Sequence, residues 1–288
     1  MRMRSLRLLI AVFGLAIAPA AAGADDKPSI LCLTGPSMKT SIEELARVYE
    51  ERTGVHVVVE MNDPRSLIER IKVVEHADLF ISHDPFLAML DRDGIKVRRA
   101  WNPASLTPVI AVARGNPKGI KGLKDLARPG VRMGVTNPGT AISGNILALM
   151  LRKAGVEREV EANVVKRAAA GRQLAAALVA DELDAAFVWN AVVYANREKI
   201  EAVDVPAEQR PQEGPESVMA HPSLGRIELD HVRVTIALLD STAHEESARS
   251  FAELVASPEG AAVFLAHGFS PADPRRAPGS AEARSSGR

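Results

Sequence analysis

From Ser29 onward the chain switches repeatedly between a two-residue and a 3.6-residue rhythm of apolar positions. Ile30 to Leu33 is a short apolar run that predicts a strand. Ile42, Leu45, Ala46 and Tyr49 then recur at helical spacing, and Gly54 stands where a left-handed residue closes a helix. Val55–Met61 is β-branched, Leu67, Ile68, Ile71 and Val74 mark a second amphipathic helix, and 77–82 reads as a third strand before a helix from Phe86 to Leu90 that Gly94 ends. A βαβαβα order implies a parallel sheet with right-handed crossovers. The pattern restarts after Trp101-Asn102-Pro103, with strands at 108–114, 131–135, 164–165 and 185–189 and helices at 123–127, 142–154 and 173–180. From about Val203 the chain turns irregular and Pro-rich; a late strand at 232–239 and helices at 246–255 and 259–267 follow. Two α/β halves and a return segment predict two lobes with a ligand cleft between them.

The start of the chain breaks this rhythm. Arg2, Arg4 and Arg7 precede the apolar run Leu8–Ala18, and small residues follow through Ala24. That is the build of a secretory signal peptide, and the run is much shorter than the ~20 residues needed to span a bilayer. Export to the periplasm or another extracytoplasmic space is therefore expected. Cys32 is the one cysteine, so no intrachain disulfide is possible, and its apolar surroundings predict a buried thiol. With 36 basic and 36 acidic residues and no basic block, nucleic acid and anionic membrane are excluded as partners.

The order of motifs carries more than the periodicity. Leu33-Thr34-Gly35-Pro36-Ser37-Met38 leads into the helix at Ile42; Ala77-Asp78-Leu79-Phe80-Ile81-Ser82, Gly115-Asn116-Pro117-Lys118-Gly119, Asp184-Ala185-Ala186-Phe187-Val188-Trp189 and Ser257-Pro258-Glu259-Gly260 follow. Over residues 29–270 this resembles the periplasmic molybdate-binding proteins of ABC transporters. The resemblance implies an α/β type II periplasmic-binding fold, with the first part of lobe I over 25–105, lobe II over 106–204 and a return of lobe I over 205–270; the leader takes up 1–24, and 271–288, rich in Pro, Arg, Ser and Gly without apolar periodicity, reads as a disordered tail. The resemblance further implies hinge crossings near 104–108 and 204–206, a monomer that hands a molybdate or tungstate dianion to an ABC permease, no enzymatic activity, no cofactor and no protein-ligated metal cation. Serine hydroxyls and main-chain amides would hold the anion.

Elementary chemistry supports such a site independently. Ligands of open parallel sheets sit beyond the carboxyl ends of the strands, where helices begin and offer unpaired N–H groups. Four loops qualify. In the first, Ser37 is the expected hydroxyl donor, with the Met38 amide beside it. In the second, Asn62-Asp63-Pro64-Arg65-Ser66, the family's usual Gly-Ser-Gly is replaced, Pro64 brings no amide hydrogen, and Ser66 and Arg65 remain as candidates. Ser66 with Glu69 also reads as a capping box, as do Thr40 and Glu43. The third, Thr136–Gly144, offers the amides of Ala141 or Ile142. The fourth offers Trp189, as an indole donor or a wall, and Asn190.

Other chemistry is weaker. Ser82-His83-Asp84 has the three residue types of a hydrolase triad, but neighbours on a strand end diverge and cannot form a relay. His56, His76, His221, His231, His244 and His267 lack metal-ligand spacing. The alternative is a receptor or sensor of the same fold for sulfate, a phosphonate, a ferric complex or an organic acid.

Overall fold

The computed structural model describes residues 28–139, 141–221 and 225–273. The expected leader at 1–24 and residues 274–288 of the expected tail lie outside them. In chain order the elements are β1 (Ser29–Thr34), α1 (Lys39–Thr53), β2 (His56–Met61), α2 (Pro64–Val73), β3 (Leu79–His83), α3 (Phe86–Arg92) and β4 (Val97–Ser105). The second half holds β5 (Pro108–Ala113), β6 (Met133–Thr136), α4 (Ile142–Ala154), α5 (Glu157–Ala162), β7 (Val164–Ala168), α6 (Gly171–Val179), β8 (Ala185–Trp189), α7 (Asn190–Ala195) and β9 (Ile200–Val203). A hairpin of β10 (Val218–His221) and β11 (Gly225–Glu228) precedes β12 (Arg233–Leu239), α8 (Glu245–Val255), α9 (Pro258–Ala266) and β13 (Ser270–Pro271).

Two sheets result. The first runs β13-β4-β12-β3-β1-β2, and the second β7-β6-β8-β5-β9. Strands β1, β2 and β3 are mutually parallel, and so are β6, β7 and β8. Each trio therefore points its carboxyl ends, and the loops that start the following helices, in one direction. Strand β12 enters antiparallel beside β3, and β5 antiparallel beside β8. Those reversals carry the chain between the lobes.

The first crossing is short, running from Ser105 through Leu106 and Thr107 to Pro108. The return is longer than a single link. The chain leaves β9 at Val203, its hairpin rests on the second lobe through a hydrogen bond from His221 Nε2 to the Pro138 carbonyl (2.9 Å), and it reaches β12 only at Arg233. Leu106 N donates to Val232 O (2.8 Å), which binds the two crossings side by side. Pro271 is no part of a patternless tail: it pairs with Ala104, and β13 adds an edge to the first sheet.

Packing follows the amphipathic patterns. On α1 the buried set is Ser41, Ile42, Leu45, Ala46 and Tyr49, and Gly54 closes the helix at φ 74°. One apolar cluster extends from Leu33 and Phe80 through Leu106, Val205 and Leu229 at the crossings to Met133 and Phe187 in the second lobe. A separate cluster around Leu174, Leu178 and Val188 fills the other face of the second sheet. Cys32, on β1, is fully buried within the first cluster, and burial pushes its thiol far above the ordinary range. It behaves as a small hydrophobe.

Candidate binding cleft

The ends of the two parallel trios meet. The imidazole of His83, last residue of β3, lies edge-on to the indole of Trp189, last residue of β8, with centroids 6.0 Å apart. Loops that follow strands in one lobe thus face the equivalent loops of the other, which is the geometry of a cleft between sheets.

The first loop is set by Gly35, whose amide donates to the Ile81 carbonyl (2.9 Å). Pro36–Met38 then form a 3-10 turn that puts Met38 in the core and leaves Ser37 half-buried. Its hydroxyl makes no hydrogen bond among the described residues. Beside Gly35 sits a group that the sequence presented only as part of a triad. The Ser82 side chain is 1% exposed and its hydroxyl has no partner among the described residues, as is also true of Ser41 and Ser217. A methyl group on Gly35 would lie 3.7 Å from that hydroxyl and 2.9 Å from Met38 Cε, so the glycine lets Met38 pack close beside Ser82.

The second loop behaves differently from the expectation. Asp63, and not Ser66, caps α2: one carboxylate oxygen accepts from the amides of Arg65 and Ser66 (both 3.1 Å), and the other from the Ser66 hydroxyl (2.5 Å). Partial burial pushes the Asp63 carboxyl up, but the bonds from Ser66 and Arg65 outweigh it and hold it below the usual carboxylate range. Ser66 is thereby turned toward Asp63. Arg65 is half-buried in the first turn of the helix.

At the end of β3, the side chains of Ser82, His83 and Asp84 diverge. Asp84 accepts from Arg233 at its amide (2.9 Å), Nε (2.8 Å) and Nη2 (3.2 Å), in a pair that ties this turn to β12. The Asp84–Pro85 peptide bond is cis. His83 Nδ1 lies 2.7 Å from the Asp84 carbonyl, and because a carbonyl only accepts, Nδ1 carries the hydrogen. Dense surroundings, including Phe86 at 5.3 Å, push the His83 pKa below its ordinary value, against the opposing pull of Asp84.

In the second lobe, Gly144 lets α4 seat against the loop after β6; a methyl group there would stand 2.5 Å from the Thr136 carbonyl. Ser143 bonds the Thr136 hydroxyl (2.8 Å). The Ala141 amide is used within the loop, donating to Asn137 O (2.9 Å), whereas Ile142 opens the helix, where first-turn amides lack intrahelical acceptors. Trp189 is buried at the boundary. Asn190 is absorbed by the crossing: its side-chain oxygen accepts from Thr107 N (3.0 Å) and its amide donates to Ser270 Oγ (3.0 Å), which also bonds the Thr107 hydroxyl (2.6 Å).

The structure therefore gathers Ser37 and Met38 with Gly35 and Ser82, and brings His83 to Trp189. Ser66 and Asn190 are engaged elsewhere. Position alone could have found Ser82 and His83, since they end the third parallel strand of the lobe. Two cavities of about 210 and 340 Å³ lie instead at the crossings. There Glu228, Asp230 and His231 bring ligand-type atoms within 4.8 Å of one another, a grouping that a survey of histidines alone does not reveal.

No helix among the described residues is long and apolar enough to cross a membrane. Residues 30–270 match the family described as bacterial extracellular solute-binding protein. A putative binding protein of Haemophilus influenzae is 26% identical over 239 residues, covering 83% of this chain and 89% of its own. Among solved structures, the substrate-binding domain of a putative molybdenum ABC transporter from Clostridium difficile superposes with TM-score 0.66 at 17% identity, over 85% of this chain and 99% of that one. The sulfate-binding protein SubI from Mycobacterium tuberculosis does so with TM-score 0.66 at 20% identity, over 86% and 88%. These likenesses show the fold, the two-lobed type II periplasmic-binding architecture.

Proposed function

The chain belongs to the bacterial extracellular solute-binding proteins, and from that premise we propose that it is the receptor of an ABC importer, acting as a monomer on a small tetrahedral oxyanion, molybdate or tungstate. One observation carries the reading. Ser82 holds a buried hydroxyl with no partner among the described residues beside Gly35, in the strand whose last residue, His83, meets Trp189 of the other lobe. A buried polar group without a partner costs free energy, and an oxyanion oxygen is an acceptor such a hydroxyl can satisfy. Each hydrogen bond to a charged group contributes roughly 1.5–3 kcal/mol. A handful of these, with the α4 amides, offsets an association cost of ~4–15 kcal/mol. The solved relatives named for molybdenum and for sulfate share this architecture.

Asp63 favours a second reading. The Asp63 carboxylate, at the N-cap, already takes the first-turn amides of α2, where the family's pattern would present the helix to the anion. A guest bearing its own hydrogen-bond donor, such as a monoprotonated phosphonate or a hydroxy acid, fits that loop better than a bare dianion does.

Thermal-shift titration with molybdate, tungstate, sulfate, methylphosphonate and lactate separates the readings. Stabilisation follows RT ln(1 + [L]/Kd), about 2.7 kcal/mol at a hundredfold excess over Kd. Molybdate and tungstate should act at the lowest concentrations. Stabilisation by lactate alone would overturn the oxyanion assignment.

A further inference from the structure

We propose that the cleft takes up its oxyanion together with one proton, held between His83 Nε2 and an anion oxygen. The inference rests on the oxyanion reading and goes further, because it assigns His83 a role in binding and fixes the protonation of the complex.

The geometry of one ring leads to it. Nδ1 donates to the Asp84 carbonyl, so in the neutral imidazole the lone pair belongs to Nε2. That nitrogen makes no hydrogen bond among the described residues, while the ring itself is clasped between Phe86 and Trp189 at the meeting of the lobes. Hydroxyls can donate or accept, but an unprotonated Nε2 only accepts. Set against an anion oxygen, two lone pairs would oppose each other, and a proton between them turns the opposition into a charge-assisted bond.

The surroundings keep that proton off until the guest arrives. The charged groups about the ring are Asp84 in its own turn, Arg233 on β12, and Glu228 and Asp230, which act on Arg233. Asp84 and Arg233 neutralise each other in a three-bond pair. The sides toward α3 and β8 present the rings of Phe86 and Trp189. Burial then leaves the free ring neutral at pH 7, and an arriving dianion supplies the missing negative charge. Binding and protonation favour each other by the same factor.

Two probes separate the sources of the proton. Molybdate has none of its own between pH 6 and 9, so the wild-type protein should take up about one proton from solvent, read as a dependence of the calorimetric heat on the buffer's ionisation heat. Its affinity should fall by up to ten-fold per pH unit between the pKa of the free ring and that of the complex, and level off above the latter. Methylphosphonate in its monoanionic form brings the proton itself, and its heat should be nearly buffer-independent. His83→Gln, which offers a fixed amide donor, should bind molybdate with no pH dependence. Tight molybdate binding by wild type without proton uptake would refute this proposal and leave the oxyanion reading standing. Failure of every anion to bind would refute both. Nitrogen-15 NMR of the unliganded protein tests the premise without a ligand: His83 should be neutral and protonated on Nδ1 at pH 7, and an imidazolium or an Nε2–H tautomer there overturns it.

Discussion

Asp63→Asn separates the stability of the second loop from its effect on binding. The wild-type carboxylate holds the amides of Arg65 and Ser66 through one oxygen and the Ser66 hydroxyl through the other. Asparagine keeps a carbonyl oxygen for the amides and is an equally good cap. What disappears is the negative charge at the helix start, ~0.3–1 kcal/mol of favourable dipole interaction. Folding stability at pH 7 should therefore fall by less than about 1.5 kcal/mol. The pH dependence has a definite sign. Because the native pKa is lowered, the wild-type advantage is present above the ordinary value of 3.8 and is lost as pH drops through the native value. The two denaturation curves should converge in acid. Binding should move the other way. At a separation on the order of 8 Å and a dielectric near that of water, one carboxylate repels a dianion by roughly 1 kcal/mol, about five-fold in affinity. Calorimetry with molybdate at low and high salt should show the gain, and salt should shrink it. A variant that folds normally but binds ten-fold more weakly would refute the electrostatic reasoning and mark Asp63 as a direct contact to a donor on the guest.

Two further substitutions test other parts of the cleft. Ser37→Ala should leave the melting temperature of the unliganded protein unchanged and cost ~1.5–3 kcal/mol of molybdate affinity, measured by calorimetry; unchanged affinity removes Ser37 from the site. Gly144→Ala forces a methyl group to within 2.5 Å of the Thr136 carbonyl, a main-chain atom that cannot swing aside. Denaturant unfolding should show a loss of ~1–3 kcal/mol, and a neutral result would mean that α4 can lift off its loop freely.

Much of this architecture could be read before any coordinates, and the failures share causes. Helix α1 begins three residues before Ile42, but its end at Gly54 and both ends of the largely buried β3 emerged within a residue or two of their expected positions. Strand β4 did not, because Trp101-Asn102-Pro103 looks like a break. In the sheet Asn102 instead bonds Val234 O and the Thr235 hydroxyl, and the strand carries irregular register beside β12. The β10–β11 hairpin was hidden by the prolines around its strands, Pro211, Pro215 and Pro222. Caps were misplaced because Ser66 and Asp63 are both good capping types and only backbone direction chooses between them. Asn190 and Ser270 are 80 residues apart in sequence, and no local pattern announces their bond. His83 was dismissed together with a triad it could not form, although its place at a strand end marked it as facing the cleft.

The apolar cluster threaded through both crossings has a consequence for how this receptor comes apart. Heat or urea finds no seam where one half could let go while the other stays intact, since Leu106, Val205 and Leu229 are buried against neighbours on either side. The halves can flex around a guest, but they should melt as one body.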